Sequence, residues 1–240
     1  MLVVKRLPII FASVFFLQTG EAQHNNSWFR GTVSLAATTK WKVDAELQHR
    51  RQSGIDNRNI IDENLMYSFR SWIHYQHSKY LKFSISPFAY YSNYRIIRNR
   101  YDENAKPIEE IRFSASAEFQ HKLIRQLHFI DRLAVENRMF TGAQPDALRF
   151  RNRIGLRYDF NTKFKTGIYQ EIFLNMTGVQ GKHYFDHNRL AVQTEFQLSP
   201  RLKTEFAFIY ITRLPLNSDQ KLYENNLYLG FVWNLYTIKR

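Results

Sequence analysis

A chain of 240 residues fits one large β domain, and the absence of cysteine excludes disulfides, thiol nucleophiles and thiolate metal sites. The formal net charge of +13 would point to nucleic acid if the cations were gathered in one block. They are instead spread along alternating positions of many segments, which fits a lined interior and argues against a nucleic-acid partner.

In chain order, residues 1–22 read as a secretory signal. Lys5 and Arg6 precede an apolar run from Leu7 to Leu17, and Gly20 and Ala22 prepare a cut ahead of Gln23. The run is shorter than the roughly 20 apolar residues a spanning helix needs. No cysteine follows the cut, so a lipoprotein anchor is excluded. No other stretch is apolar enough to span as a helix, so residues 23–240 can enter a membrane only as a barrel.

Eleven segments then alternate, because successive side chains of a strand point to opposite faces. Segment 28–35 puts Phe29, Gly31, Val33 and Leu35 on one face, and segment 41–50 sets Trp41, Val43, Ala45 and Leu47 against Lys42, Asp44, Glu46, Gln48 and Arg50. Segments 64–74 and 80–91 follow. Pro87 cannot donate to a ladder, so a bulge or strand end is expected near it. Segment 111–120 opposes Phe113, Ala115, Ala117 and Phe119 to Arg112, Ser114, Ser116 and Glu118. Segments 127–138 and 148–160 carry Arg132, Glu136 and Arg138, then Arg149, Arg151, Arg153, Arg157 and Asp159, on their polar faces. In 164–174, Gln170 shares a face with Ile168 and Ile172, so a bulge or register break is expected. Segments 189–198 and 202–213 form a hairpin, and the chain closes on 227–236. There Leu227, Leu229, Phe231, Trp233 and Leu235 oppose Tyr228, Gly230, Val232, Asn234 and Tyr236.

Connections alternate in length. Short turns lie near 38–39 and at 76–79, 121–126, 161–163 and 199–201. Longer polar loops lie at 52–63, 95–109, 140–147, 175–187 and 215–221. That is the pattern of an antiparallel transmembrane β-barrel with short periplasmic turns and longer external loops. Ten to twelve strands are expected. Eleven is odd where bacterial single-chain barrels are even, so an additional strand near 23–27, giving twelve, is favoured over ten. Trp41, Tyr80, Phe119, Phe129, Tyr158, Phe164 and Trp233 sit near strand ends, as interfacial girdles do.

Alternation alone leaves open which face is inside. A secreted soluble barrel would turn the apolar face inward around an apolar ligand. About eight strands already enclose such a cavity, so ten to twelve with an apolar lining would leave a large void. Apolar side chains toward lipid and charged ones toward a wet interior fit better.

The chain resembles domain-of-unknown-function family 2490, uncharacterised outer-membrane β-barrel proteins of Bacteroidota-type bacteria. The likeness rests on Trp28, on Lys40-Trp41-Lys42 leading to Glu46, Gln48 and Arg50, and on Glu136-Asn137-Arg138. The run from Leu148 to Ile154, the stretch Phe185 to Leu190 and the closing strand also match. The resemblance implies a barrel in the outer membrane and assigns no activity.

The most distinctive constellation is the ladder Arg149, Arg151, Arg153 and Arg157, on one face of one strand, where like charges need partners. With Arg112, Arg132, Arg138 and Arg189 it would line the interior, faced by Asp44, Glu46, Glu118, Glu136, Asp159, Glu195 and Glu205. The plain reading is ion-paired filling of a narrow barrel. The sharper one is a cationic wall that selects anions. A lipid-modifying hydrolase would need a Ser activated by His; Ser114 and Ser116 face inward on one segment, His74 faces inward on another and His121 sits at a turn, without a nucleophile motif. His183 and His187 bracket an external loop with the wrong local structure for a metal pair. The expectation is therefore a non-enzymatic barrel without cofactor or metal, structural or narrowly conducting. Its expected partners are outer-membrane lipid, the barrel-assembly machinery through 227–236, and small anionic solutes as candidate cargo.

Overall fold

The computed structural model describes residues 24–142, 144–179, 181–215 and 220–235. The stretch 1–22 read as a signal and Tyr236 of the expected closing segment lie outside them. Eleven strands follow in order: β1 (His24–Ala36), β2 (Trp41–Gln52), β3 (Glu63–Gln76), β4 (Leu81–Asn93), β5 (Ile108–Lys122), β6 (Leu127–Phe140), β7 (Ala147–Asp159), β8 (Phe164–Asn175), β9 (Phe185–Gln197), β10 (Leu202–Arg213) and β11 (Leu222–Asn234). A one-turn helix, α1 (Arg100–Glu103), sits between β4 and β5, and a 3₁₀ turn (Gly181–Tyr184) precedes β9.

Each strand pairs antiparallel with the next, and β1 closes the barrel on β11. Among the described residues the count is eleven, within the expected range but not the favoured twelve. The stretch expected to supply another strand forms, from His24 onward, the start of β1. An odd count sends the first and last strands in the same direction, so the closing pair is parallel. Its register keeps inward residues opposite inward residues, Asn26 with Asn226 and Trp28 with Tyr228. Asn26 Nδ2 donates to Asn226 Oδ1 at 3.1 Å and to Glu224 at 3.0 Å, which pins the seam from inside.

Turn chemistry explains the two ends. Four of the tight turns, 37–40, 77–80, 160–163 and 198–201, carry a short side chain that accepts a backbone N–H within the turn. Thr38 accepts from Trp41, Ser78 from Leu81, Asn161 from Phe164 and Ser199 from Leu202. The connections at the opposite rim are longer. That between β4 and β5 tucks inward, held by Gln52, whose side chain donates to Arg95 O at 2.8 Å and accepts from Ile97 N at 3.1 Å.

The apolar faces point outward. Phe113 is 45% exposed, Leu156 40% and Phe231 45%, while Arg112 and Ser114, on either side of Phe113, are buried inside. The soluble barrel with an apolar ligand is therefore excluded as a reading of this chain: the greasy faces are on its exterior. Among the described residues no helix is long and apolar enough to cross a membrane. At the turn rim, Tyr158, Phe160, Phe164 and Phe196 form a chain of ring contacts with centroids 4.6–4.9 Å apart. Trp41 packs on Tyr75 at the same rim.

Irregularities fall where backbone chemistry demands them, with one displacement. The β4–β5 register shifts between Ser86 and Ala89, around Pro87. In β8 the alternation runs on through Gln170, which stays outward, and the shift comes later, between Phe173 and Leu174.

Candidate functional site

The inward faces surround a cavity of about 990 Å³. On the β6–β9 wall, cations and carboxylates interleave. Arg149 donates through Nε to Glu136 at 2.9 Å and lies 2.8 Å from Asp186. Arg151 bridges Glu136 at 3.1 Å and Glu171 at 2.6 Å. Arg189 meets Glu171 at 3.6 Å, Arg153 meets Glu118 at 3.6 Å, and Arg157 is 2.8 Å from Asp159. Arg112 and Arg138 share Glu110. Every rung of the predicted ladder thus has a carboxylate: antiparallel register sets Arg149 opposite Glu136, Arg151 reaches Glu136 and Glu171 on the two flanking strands, Arg153 reaches Glu118 of β5, and Arg157 turns to Asp159 of its own strand.

The remaining predicted carboxylates are also held. Asp44 binds Lys42 at 2.9 Å, and Glu46 binds Arg70, with Arg30 at 3.7 Å. Glu118 takes Lys82 at 2.7 Å; Glu195 and Glu205 share Lys203, and Glu205 also takes Arg30. Four further inward acids on the strands were missed. Glu110, Glu171 and Glu224 are fully or nearly fully buried, and Asp186 completes the set. Glu110 had a readable signal, its parity with Arg112. Glu171 was hidden by the irregular reading of its segment, and Asp186 by its assignment to a loop.

Two guanidiniums on the inner faces of the strands have no carboxylate within ion-pair distance among the described residues. Arg132 donates to Ser116 Oγ at 3.2 Å and lies over Trp72. Arg50 donates only to Gln48, at 3.3 Å, and stacks on Trp28 with its guanidinium carbon 3.7 Å from the ring centroid. Arg50 was placed on the polar face by the sequence but not singled out. The stacking itself was not legible. Trp28, Trp72, Tyr91, Phe173, Tyr169 and Tyr228 face the interior, and each carries at least one guanidinium within 5.3 Å of its ring.

The histidine and serine expectations change. Ser114 and Ser116 are inward, but His74 does not hydrogen-bond either. His74 Nδ1 lies 2.7 Å from Ser84 Oγ, and its Nε2 lies 3.2 Å from Asp44. His121 lies at the rim against the rings of Tyr80 and Phe119. His187 is not in a loop: it is buried in β9, stacked on Phe173 with centroids 3.9 Å apart. Among the described residues no group of three or more His, Asp or Glu could hold a metal.

No curated protein matches the chain. Among solved structures, one titled as the NanC porin in a rhombohedral crystal form has a TM-score of 0.52 and 11% sequence identity. The match covers 88% of this chain and 98% of that one, and at this identity it speaks for the barrel fold alone. The family model described as "Protein of unknown function (DUF2490)" matches residues 25–222, and the chain belongs to that family.

Proposed function

We propose that this chain is an integral outer-membrane β-barrel acting as a narrow passive channel whose interior favours small anionic solutes. A band of apolar side chains faces outward around a charged interior, which is the polarity that lipid outside and water inside require. The observation that carries the solute preference is the pairing pattern. Carboxylates neutralise the β7 ladder, while Arg50 and Arg132 keep net positive charge facing the cavity. The export signal read over 1–22 and the likeness to a porin fold support the location.

Planar-bilayer recording under a salt gradient tests this reading. A reversal potential of anion-selective sign is expected, shrinking toward 1 M salt where the screening length falls to about 3 Å. A cation preference ends the anion reading, and an absence of current ends the channel reading and leaves a closed structural barrel.

A hydrolase reading has one observation in its favour, the hydrogen-bonded chain Ser84–His74–Asp44. Acyl transfer also needs free donors for the developing oxyanion. Ser84 lies within a regular stretch of the paired β3–β4–β5 ladders, where backbone N–H groups are committed to the sheet. Lining of the interior is the better account. Phospholipid hydrolysis in detergent that disappears with Ser84→Ala would reverse this choice.

A further inference from the structure

The interior has two chemically different sides, and Arg50 stands where they meet. The inner face of β10 reads Lys203, Glu205, Ala207, Ile209, Ile211, Arg213, so its middle is apolar. Ala207, Ile209 and Ile211 are buried with Ala191 of β9 and with Trp28 and Tyr228 across the seam. This apolar wall lies inside the barrel, opposite in character to the ion-paired wall.

At its edge, Trp28 is 3% exposed and its indole Nε1–H has no protein acceptor. Arg50 stacks on that ring, and Arg189 approaches the same ring at 5.3 Å. The Nε–H of each guanidinium also lacks a protein acceptor. Three further cations, Arg189, Arg213 and Arg112, act on Arg50 across the interior. Three donors without acceptors, positive charge without a counter-charge, and an apolar wall therefore adjoin.

We propose that Trp28, Arg50 and Arg189 form a binding subsite for an organic anion, a carboxylate carried on a compact apolar or aromatic body. The carboxylate takes the unpaired donors, since an acceptor-only group satisfies several N–H at once and is strongest with guanidinium. The body takes the cavity space bordered by Trp28, Ile209 and Tyr228, where it meets apolar carbon in place of water. An inorganic anion can use only the first half of the site. This deepens the channel reading above, naming the class of solute, and it rests on that reading only for its physiological role.

Equilibrium binding to the full barrel refolded in detergent tests it without requiring conduction. The probes are sodium benzoate, acetate and inorganic phosphate, followed by calorimetry and tryptophan fluorescence. Benzoate is expected to bind roughly tenfold tighter than acetate, phosphate is expected to bind no tighter than acetate, and Arg50→Gln should reduce benzoate binding at least tenfold. Ile209→Asn should reduce benzoate to the level of acetate while sparing acetate. Arg100→Gln, on the exposed one-turn helix, should leave both unchanged. Equal affinities for benzoate and acetate, or undiminished benzoate binding to folded Arg50→Gln, overturn the subsite. A barrel that conducts anions without preferring benzoate refutes the subsite alone. One that binds benzoate but passes no current refutes the channel alone.

Discussion

The β6–β9 wall and the β1–β2 wall carry similar residues and do different things with them. On the first, Arg149, Arg151 and Arg189 are threaded between Glu136, Glu171 and Asp186, so a dense row of guanidiniums presents little free charge. On the second, one guanidinium, Arg50, stands on an aromatic ring with no carboxylate. Counting arginines would assign the anion field to the ladder. Pairing assigns it to Arg50 and to Arg132, the unpaired exception on β6 of the first wall, because a buried ion pair is held by its partner while an uncompensated cation projects its field into the cavity.

The sharpest way to break the comparison is Glu136→Leu. Glu136 is 3% exposed and shared by Arg149 and Arg151. Its loss should destabilise the barrel by about 3 kcal/mol, the lower end for breaking a buried pair, because Asp186 and Glu171 still hold the two guanidiniums. The urea midpoint of the heat-modifiable band on gels reads this. The same variant should strengthen anion selectivity, since it frees charge on the quiet wall.

Gly230→Ala probes the seam beside the second wall. A Cβ at Gly230 would meet Tyr228 Oη at 2.3 Å, and that hydroxyl donates to Glu205 at 2.9 Å. Only glycine admits this approach, so a cost of about 2 kcal/mol is expected from overpacking and the displaced hydrogen bond. An unchanged urea midpoint would mean the tyrosine has an alternative seat.

The smallest effect is expected from Arg50→Leu. The stacking lost, about 0.5–2 kcal/mol, is offset by relief of repulsion from Arg189, Arg213 and Arg112. Stability should change by less than about 1 kcal/mol, while the reversal potential moves toward zero. A destabilisation as large as that of Glu136→Leu would show that the two walls are equivalent after all.

Much of this architecture is written in the chain at period two. The inner and outer faces of β2, β5, β7 and β11, the alternation of turn and loop lengths, and the inward Arg and carboxylate sets follow from which neighbour is charged. The reading weakened where that contrast fades. Both faces of β10 are apolar, so its inner wall of Ile209 and Ile211 carried no distinguishing mark. At β8 a single outward Gln170 suggested a break that does not occur there and concealed Glu171 and Phe173.

Local pattern by itself determined the strands and their two faces, because the side-chain direction of an extended chain depends only on its own backbone. Closure through a parallel β1–β11 pair, the capture of each ladder arginine by a particular acid, and the stranding of Arg50 on Trp28 were decided only by the folded barrel. Those relations join residues far apart in the chain, and register across the sheet, rather than sequence spacing, sets which of them meet.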